Sequence, residues 1–354
     1  MMRKLWMGSL ILLLMIGVTA CSPTAQGPVA LDMFVFAAPG HKDIPREVSD
    51  EFVAENENVT VEIVEGSNAQ TFPQMLAAYQ TTPDDPLFDL GYYNMTAHVD
   101  GELAGLWESL DPENIPNLEL VPEQFRQPED RGVIFATGYF GLVYNTECVD
   151  EPPSSYAALW DPQYAGQVAV WDYTWYHMVV AAMLNGGDEH NIDPGFELWA
   201  DNVDQLHSLV TSNQQLKDLM VAGEVCIAIF DLQQVRNWAE EEGAPVAGVV
   251  PEEGAIAWPL VINISKGVTP EQKEAAERLI NELIDPETLT RYAEATFYAP
   301  TLTGVELPAE MQALPSFSED VLLDSLFFDW VTIIENQDAW SQRWDREIKA
   351  QLQQ

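Results

Sequence analysis

Aromatic rings and carboxylates lie side by side at several points in this chain. Trp171-Asp172-Tyr173, with Tyr176 three residues on, is the densest group, and Phe230-Asp231, Trp258, Phe36, Tyr93 and Tyr298 supply others. The face of a ring attracts an organic cation by about 0.5–2 kcal/mol, and a carboxylate fixes the position of its charge. Trp171, Tyr173, Trp258 and Tyr298 are the expected walls of such a site. Asp231 is the first choice of counter-charge and Asp172 the second. Tyr173, Trp175 and Tyr176 crowd a turn and helix start, where core packing has little use for so many large rings.

The same inventory speaks against catalysis. No Gly-x-Ser-x-Gly, His-Glu-x-x-His or Gly-x-x-x-x-Gly-Lys-[Ser/Thr] pattern occurs. The five histidines, at 41, 98, 177, 190 and 207, are scattered without ligand spacing. With 57 acids in the chain, carboxylate pairs of the glycosidase kind arise by chance and identify nothing. No catalytic residue, cofactor or resident metal is assigned.

Binding residues need elements to bring them together. Residues 31–37 read as a strand and 38–40 as a turn; Val48, Phe52 and Val53 give 45–56 a helical period. A half-buried strand over 59–64, a helix over 71–80 and a buried strand over 88–93 complete a βαβαβ opening. Later come strands over 140–145, 168–171 and 225–230 and helices over 175–184, 216–222 and 233–242. Trp340 and Trp344 share one helix face. The alternation predicts an α/β fold with a mostly parallel sheet, in which ligands bind beyond the carboxyl ends of the strands. Phe36, Tyr93, Trp171, Asp172, Tyr173, Asp231 and Trp258 are expected at or beside such ends, and Tyr298 in a comparable late loop.

The first residues give the address. Arg3 and Lys4 precede an almost wholly apolar run over 5–18, the form of a secretory signal. At roughly 14 residues the run is shorter than the ~20 that a membrane span requires. Val18-Thr19-Ala20-Cys21 resembles a bacterial lipobox, which implies that Cys21 is lipidated and begins the mature chain, with 21–30 as a tether. Only Cys148 and Cys226 then remain; two cysteines make neither a disulfide framework nor a zinc site, and their pairing stays open. Removing Arg3 and Lys4 with the leader takes the net charge from −42 to −44. Such a field excludes nucleic acid as a partner and favours cations over anions.

Several separated segments resemble the family 1 extracellular solute-binding proteins, in particular their spermidine/putrescine-binding branch. They are Gly138-Tyr139-Phe140-Gly141-Leu142-Val143-Tyr144-Asn145-Thr146, Trp160-Asp161-Pro162-Gln163-Tyr164-Ala165-Gly166-Gln167-Val168, Gly223-Glu224-Val225, Pro251-Glu252-Glu253-Gly254 before Trp258, and Trp340-Ser341-Gln342-Arg343-Trp344. They follow the family's order along nearly the whole mature chain. The resemblance implies a type II periplasmic-binding-protein fold, with two α/β lobes joined by crossing strands and a ligand cleft between them. One lobe is expected from 31–139 plus 262–354 and the other from 140–261, with crossings at 139–145 and 258–264. It also implies an ABC importer whose permease is the partner, a cell-envelope location, and a small, cationic, polyamine-like solute. The chain departs from the polyamine pattern at Leu260, Tyr173 and Tyr176, where acids are expected, and at Asp231, where a stacking tryptophan is expected. Two competing readings are an iron(III) binder of the same fold, with Tyr92, Tyr93, Tyr173 and Tyr176 as hard oxygen ligands, and an envelope hydrolase.

Overall fold

The computed structural model describes residues 27–352 apart from Pro39, Tyr173 and Thr174. The leader, Cys21 and most of the tether therefore lie outside the described residues. Among those that are described, no helix is long and apolar enough to cross a membrane.

Apolar residues at every second position bury one face of β1 (Val29–Phe36) from Val29 to Met33, and Phe34 and Val35 then bury both faces. It leads through α1 (Asp43–Glu55) to β2 (Val59–Gly66), and through α2 (Asn68–Thr81) to β3 (Leu90–Asn94) and α3 (Met95–Ala104). Asn94 ends β3 and caps α3 by accepting the Ala97 N–H, so a single residue turns the chain from strand to helix. Next come β4 (Val133–Asn145), β5 (Val168–Trp171), α4 (Trp175–Leu184), α5 (Asp193–Asp201), β6 (Leu206–Val210), α6 (Asn213–Val221), β7 (Ile227–Asp231), α7 (Leu232–Glu240), β8 (Val246–Val249) and β9 (Ile256–Ile264). The chain finishes with α8 (Pro270–Leu283), α9 (Pro286–Thr296), β10 (Ala299–Pro300), α10 (Ala309–Gln312), α11 (Glu319–Asp324) and α12 (Trp330–Trp344).

The strands form one sheet in the order β2-β1-β3-β9-β4-β7-β5-β6, with β8 and β10 also paired to β4. The sheet is mixed, which corrects the expectation of a mostly parallel one. Strands β2, β1 and β3 are parallel to one another, as are β7, β5 and β6, but β9 and β4 join the two groups by antiparallel pairing. The stretches expected to cross between lobes, 139–145 and 258–264, belong to β4 and β9, side by side at the centre. Helix α8 packs on β1 and β9, whereas α12 touches both α3 and α4. Trp344 reaches His177 and Trp199, with ring centroids 4.7 and 6.1 Å away. The end of the chain thus leans on residues of the 140–261 stretch as well as on α3.

Cys148 and Cys226 form a disulfide. It ties the turn after β4 to the start of β7, where Asn145 N–H already donates to the Cys226 carbonyl.

Candidate functional site

Strands β5 and β7 are parallel, so their carboxyl ends open on the same edge and carry Trp171 and Asp231 to it. Trp171 lies flat against Phe230, with centroids 5.5 Å apart and planes 10° apart, and Phe230 stacks in turn on Trp238. From β4, Phe140 stands opposite Asp231 in the ladder and meets Tyr176 at 5.3 Å and Trp258 at 5.2 Å. Phe140, Trp171, Tyr176, Phe230 and Trp258, with Asn213 and Gln234 from the first turns of α6 and α7, line a cleft of about 230 Å³. Asp231 is the only charged residue among the described residues lining it.

Asp231 is also the N-cap of α7, its carboxylate accepting the Gln234 N–H at 2.9 Å. Burial pushes its pKa up, while hydrogen bonds from the Gln234 and Gln233 backbone hold it down. Its charge reaches Tyr298 and adds to the burial that raises that phenol. The cleft therefore combines several ring faces with one carboxylate held at a helix N-terminus, an arrangement that can bind a cation.

A second aromatic cluster gathers around His41. Phe36, Tyr292 and Tyr298 meet its ring edge-on at 5.8, 5.5 and 5.0 Å, and Nδ1 is 2.6 Å from the Tyr292 hydroxyl. Burial lowers the His41 pKa to about 4, so near neutrality it is uncharged and does not repel a cation. Tyr298 lies on Gly138, where an added Cβ would come within 2.8 Å of its Cζ; only glycine leaves room for the ring.

The expected residues are thus brought together in part. Trp171, Tyr176, Asp231 and Trp258 share the cleft, and Phe36 and Tyr298 share the neighbourhood of His41. Tyr93 does neither. It is 0% exposed and packed between Phe34 and Trp107 in the interior. Asp172 is held by Lys349 at 2.6 Å, so its charge is already matched. Tyr173 lies outside the described residues. Leu260, where an acid was expected by resemblance, is buried in β9. Sequence reasoning missed Phe140, Asn213, Gln234 and His41. His41 had a signal, since it follows the end of β1 by five residues; Asn213 had none, because a polar residue in a first helical turn reads as solvated.

The iron reading gains nothing from this geometry. Tyr92 and Tyr93 are consecutive on β3 and point to opposite faces, Tyr92 against Phe135 and Tyr93 against Phe34. Burial drives both phenols well above their ordinary pKa, against tyrosinate formation. Among the described residues, no group of three or more His, Cys, Asp or Glu is placed to hold a metal.

The family model for bacterial extracellular solute-binding proteins matches residues 47–319. Spermidine/putrescine-binding periplasmic protein 1 of Haemophilus influenzae is 26% identical over 94% of this chain and 95% of its own length. Two solved structures share the fold. An ABC transporter protein from Clostridium perfringens has a TM-score of 0.77 at 20% identity, over 90% of this chain and 99% of that one. The spermidine/putrescine substrate-binding protein PotD of Streptococcus pneumoniae, in complex with calcium and HEPES, has a TM-score of 0.70 at 18% identity, over 89% and 99%.

Proposed function

This chain belongs to the bacterial extracellular solute-binding protein family, and we propose that it captures a small organic cation and delivers it to the permease of an ABC importer. A binding protein of this kind is not an enzyme, and its chemistry is recognition alone. The observation that carries the ligand class is the cleft of ring faces with Asp231 as its one acid. Cation–π contacts of about 0.5–2 kcal/mol each and a buried ion pair together suit an ammonium-type group. A di- or triamine needs a carboxylate near each nitrogen, yet Asp172 is matched by Lys349 and Leu260 supplies no charge. The proposed solute therefore resembles a polyamine in being a small organic cation, but concentrates its charge at one centre.

We read 31–139 with 262–354 as one lobe and 140–261 as the other, with β4 and β9 as the crossing strands about which they close. Tyr298 and Phe36 then approach the solute from the first lobe, and Trp171, Tyr176, Asp231 and Trp258 from the second. Cys21 is proposed as a lipidated mature terminus holding the protein at the outer side of the cytoplasmic membrane or in the periplasm. Cys21→Ala should leave the protein unanchored or unprocessed in its host. Normal cleavage with continued membrane partitioning of that variant would remove the anchor from the reading.

Calorimetry with spermidine, putrescine and tetraalkylammonium ions tests the ligand class. Asp231→Asn should weaken the best-binding cation by about 2–3 kcal/mol, roughly 30–150-fold, because the ligand's charge is left unpaired. Asparagine caps helices as well as aspartate does, so α7 stays in place and the change isolates charge. Trp258→Ala should cost a comparable amount through lost ring area. The exposed Glu241 should matter only through long-range attraction that fades with salt. If Asp231→Asn binds like the parent while Glu241→Gln does not, the site lies elsewhere.

A further inference from the structure

Tyr139 and Phe140 are neighbours on β4 and so face opposite sides of the sheet. Phe140 lines the cation cleft; Tyr139 lines a different cavity of about 430 Å³. Helix α7 and strand β8 form one wall of that cavity, and Phe297 and Leu314, from the far end of the chain, form the other. Two polar atoms there are buried without a protein partner: the hydroxyl of Tyr139, a residue only 4% exposed, and Nη1 of Arg236. Arg236 is otherwise fixed, its Nε donating to Glu240 at 2.9 Å and its guanidinium 4.4 Å above the Phe297 ring. Buried donors are normally satisfied, so a mainly apolar cavity with two unsatisfied groups is shaped for an occupant that brings an acceptor.

We infer that this cavity is a second binding site, for a small uncharged molecule with an apolar body and a carbonyl-type oxygen. Its oxygen accepts from Arg236 Nη1, with the Tyr139 hydroxyl as a further donor, and its body packs on Leu232, Val246 and Val249. The volume lies in the ordinary range for small-molecule sites. An anion is disfavoured, since Glu240 already neutralises the guanidinium and the chain carries a net charge of −42. Helix α7 is a wall common to both sites, with Gln234 lining the cleft and Gln233 and Arg236 lining the cavity. Occupancy here therefore biases the helix whose N-cap is Asp231, and so changes cation affinity. That coupling rests on the cation reading; binding to the cavity does not.

Acetophenone is a suitable probe, with ethylbenzene as the same body lacking oxygen and benzoate as the anionic counterpart, each followed by ligand-detected NMR on the whole protein. Acetophenone should bind, and both controls should bind at least about 5-fold more weakly, the effect of one net hydrogen bond. Tyr139→Phe and Arg236→Met should each remove most of the preference for acetophenone, and Ala239→Phe, which fills the cavity, should abolish binding. Circular dichroism confirms that each variant is folded. No binding up to the solubility limit, equal binding of benzoate, or indifference to all three substitutions overturns the site. Cation affinity with and without saturating acetophenone is then compared, and a shift of about 3-fold or more is expected. If acetophenone binds but cation affinity stays constant, the coupling is wrong; if no cation binds at all, the cation reading fails and the cavity site stands.

Discussion

Asp89 lies just before β3 and holds two elements together, accepting the Asp32 backbone N–H at 2.8 Å and the Gln272 side-chain amide at 3.1 Å. Burial raises its pKa to about 6, whereas in the unfolded chain it titrates near ~3.9. Between those values the folded protein keeps a proton that the unfolded chain has lost. The stabilisation from this group is complete below ~3.9 and disappears as pH rises through about 6. Asparagine cannot titrate, so Asp89→Asn should gain on the parent by about 2–3 kcal/mol between pH 4 and 7, as read from urea unfolding at several pH values. A difference that does not change with pH would exclude the shifted carboxyl. His41 titrates in the opposite sense, its contribution present above ~6.5 and lost as pH falls through about 4, but it cancels between the two proteins. At this scale the sequence revealed residue types better than partners. Trp171 and Asp231 followed from the strand-end rule, whereas Trp258, expected at such an end, lies near the amino end of β9; Asp172 resembled Asp231 in its surroundings until Lys349, 177 residues away, was seen to hold it. Nothing local announces a partner so distant in the chain.

Pairing of elements is less local still. Alternating apolar residues located the strands and helical spacing the helices, most within a few residues of where they fall. Pairing direction does not reside in any one segment, which is why a parallel sheet was expected and a mixed one is found. Strand β4 was anticipated over 140–145 but spans Val133–Asn145, and because nearly all of it is buried on both faces no alternation marks where it begins. The disulfide was equally invisible, for two cysteines state nothing about their distance. It closes a loop with a sequence separation of 78 residues, for which chain entropy gives about 4–5 kcal/mol. Cys148→Ala with Cys226→Ala should lower the unfolding free energy by roughly 2–5 kcal/mol. Cation affinity of the folded variant should hold, since neither cysteine lines the cleft. Equal denaturant midpoints for the parent and the double variant would show that the bridge does not contribute.

Over the whole molecule the dominant quantity is charge, with 57 acids against 15 bases. Mutual repulsion among surface carboxylates opposes the compact state and is screened as the Debye length falls from ~10 Å at 0.1 M salt to ~3 Å at 1 M. The thermal midpoint should therefore rise by several degrees when sodium chloride is increased over that range, as differential scanning calorimetry would record. A midpoint that stays level or falls would mean that the acids are already matched by local pairs. The same screening should slow cation capture while leaving release from the Asp231 cleft nearly unchanged, because attraction at a distance acts on the encounter and the buried pair acts on residence. Charge was legible from composition alone; its meaning for a particular solute became arguable only when one acid stood among the rings.

The position of β9 has a further consequence, for the order in which the chain can fold. It lies between β3 and β4, pairing residues 90–94 with 260–264 and 133–140 with 256–262. Until Ile264 is available, both neighbours present open edges, and unpaired edges recruit other chains. Contacts so far apart in sequence also slow folding. Were the chain threaded through a membrane from its amino end, as the proposed leader would have it, its central sheet would stay incomplete until β9 had crossed. The same topology makes any truncation before β9 prone to aggregation.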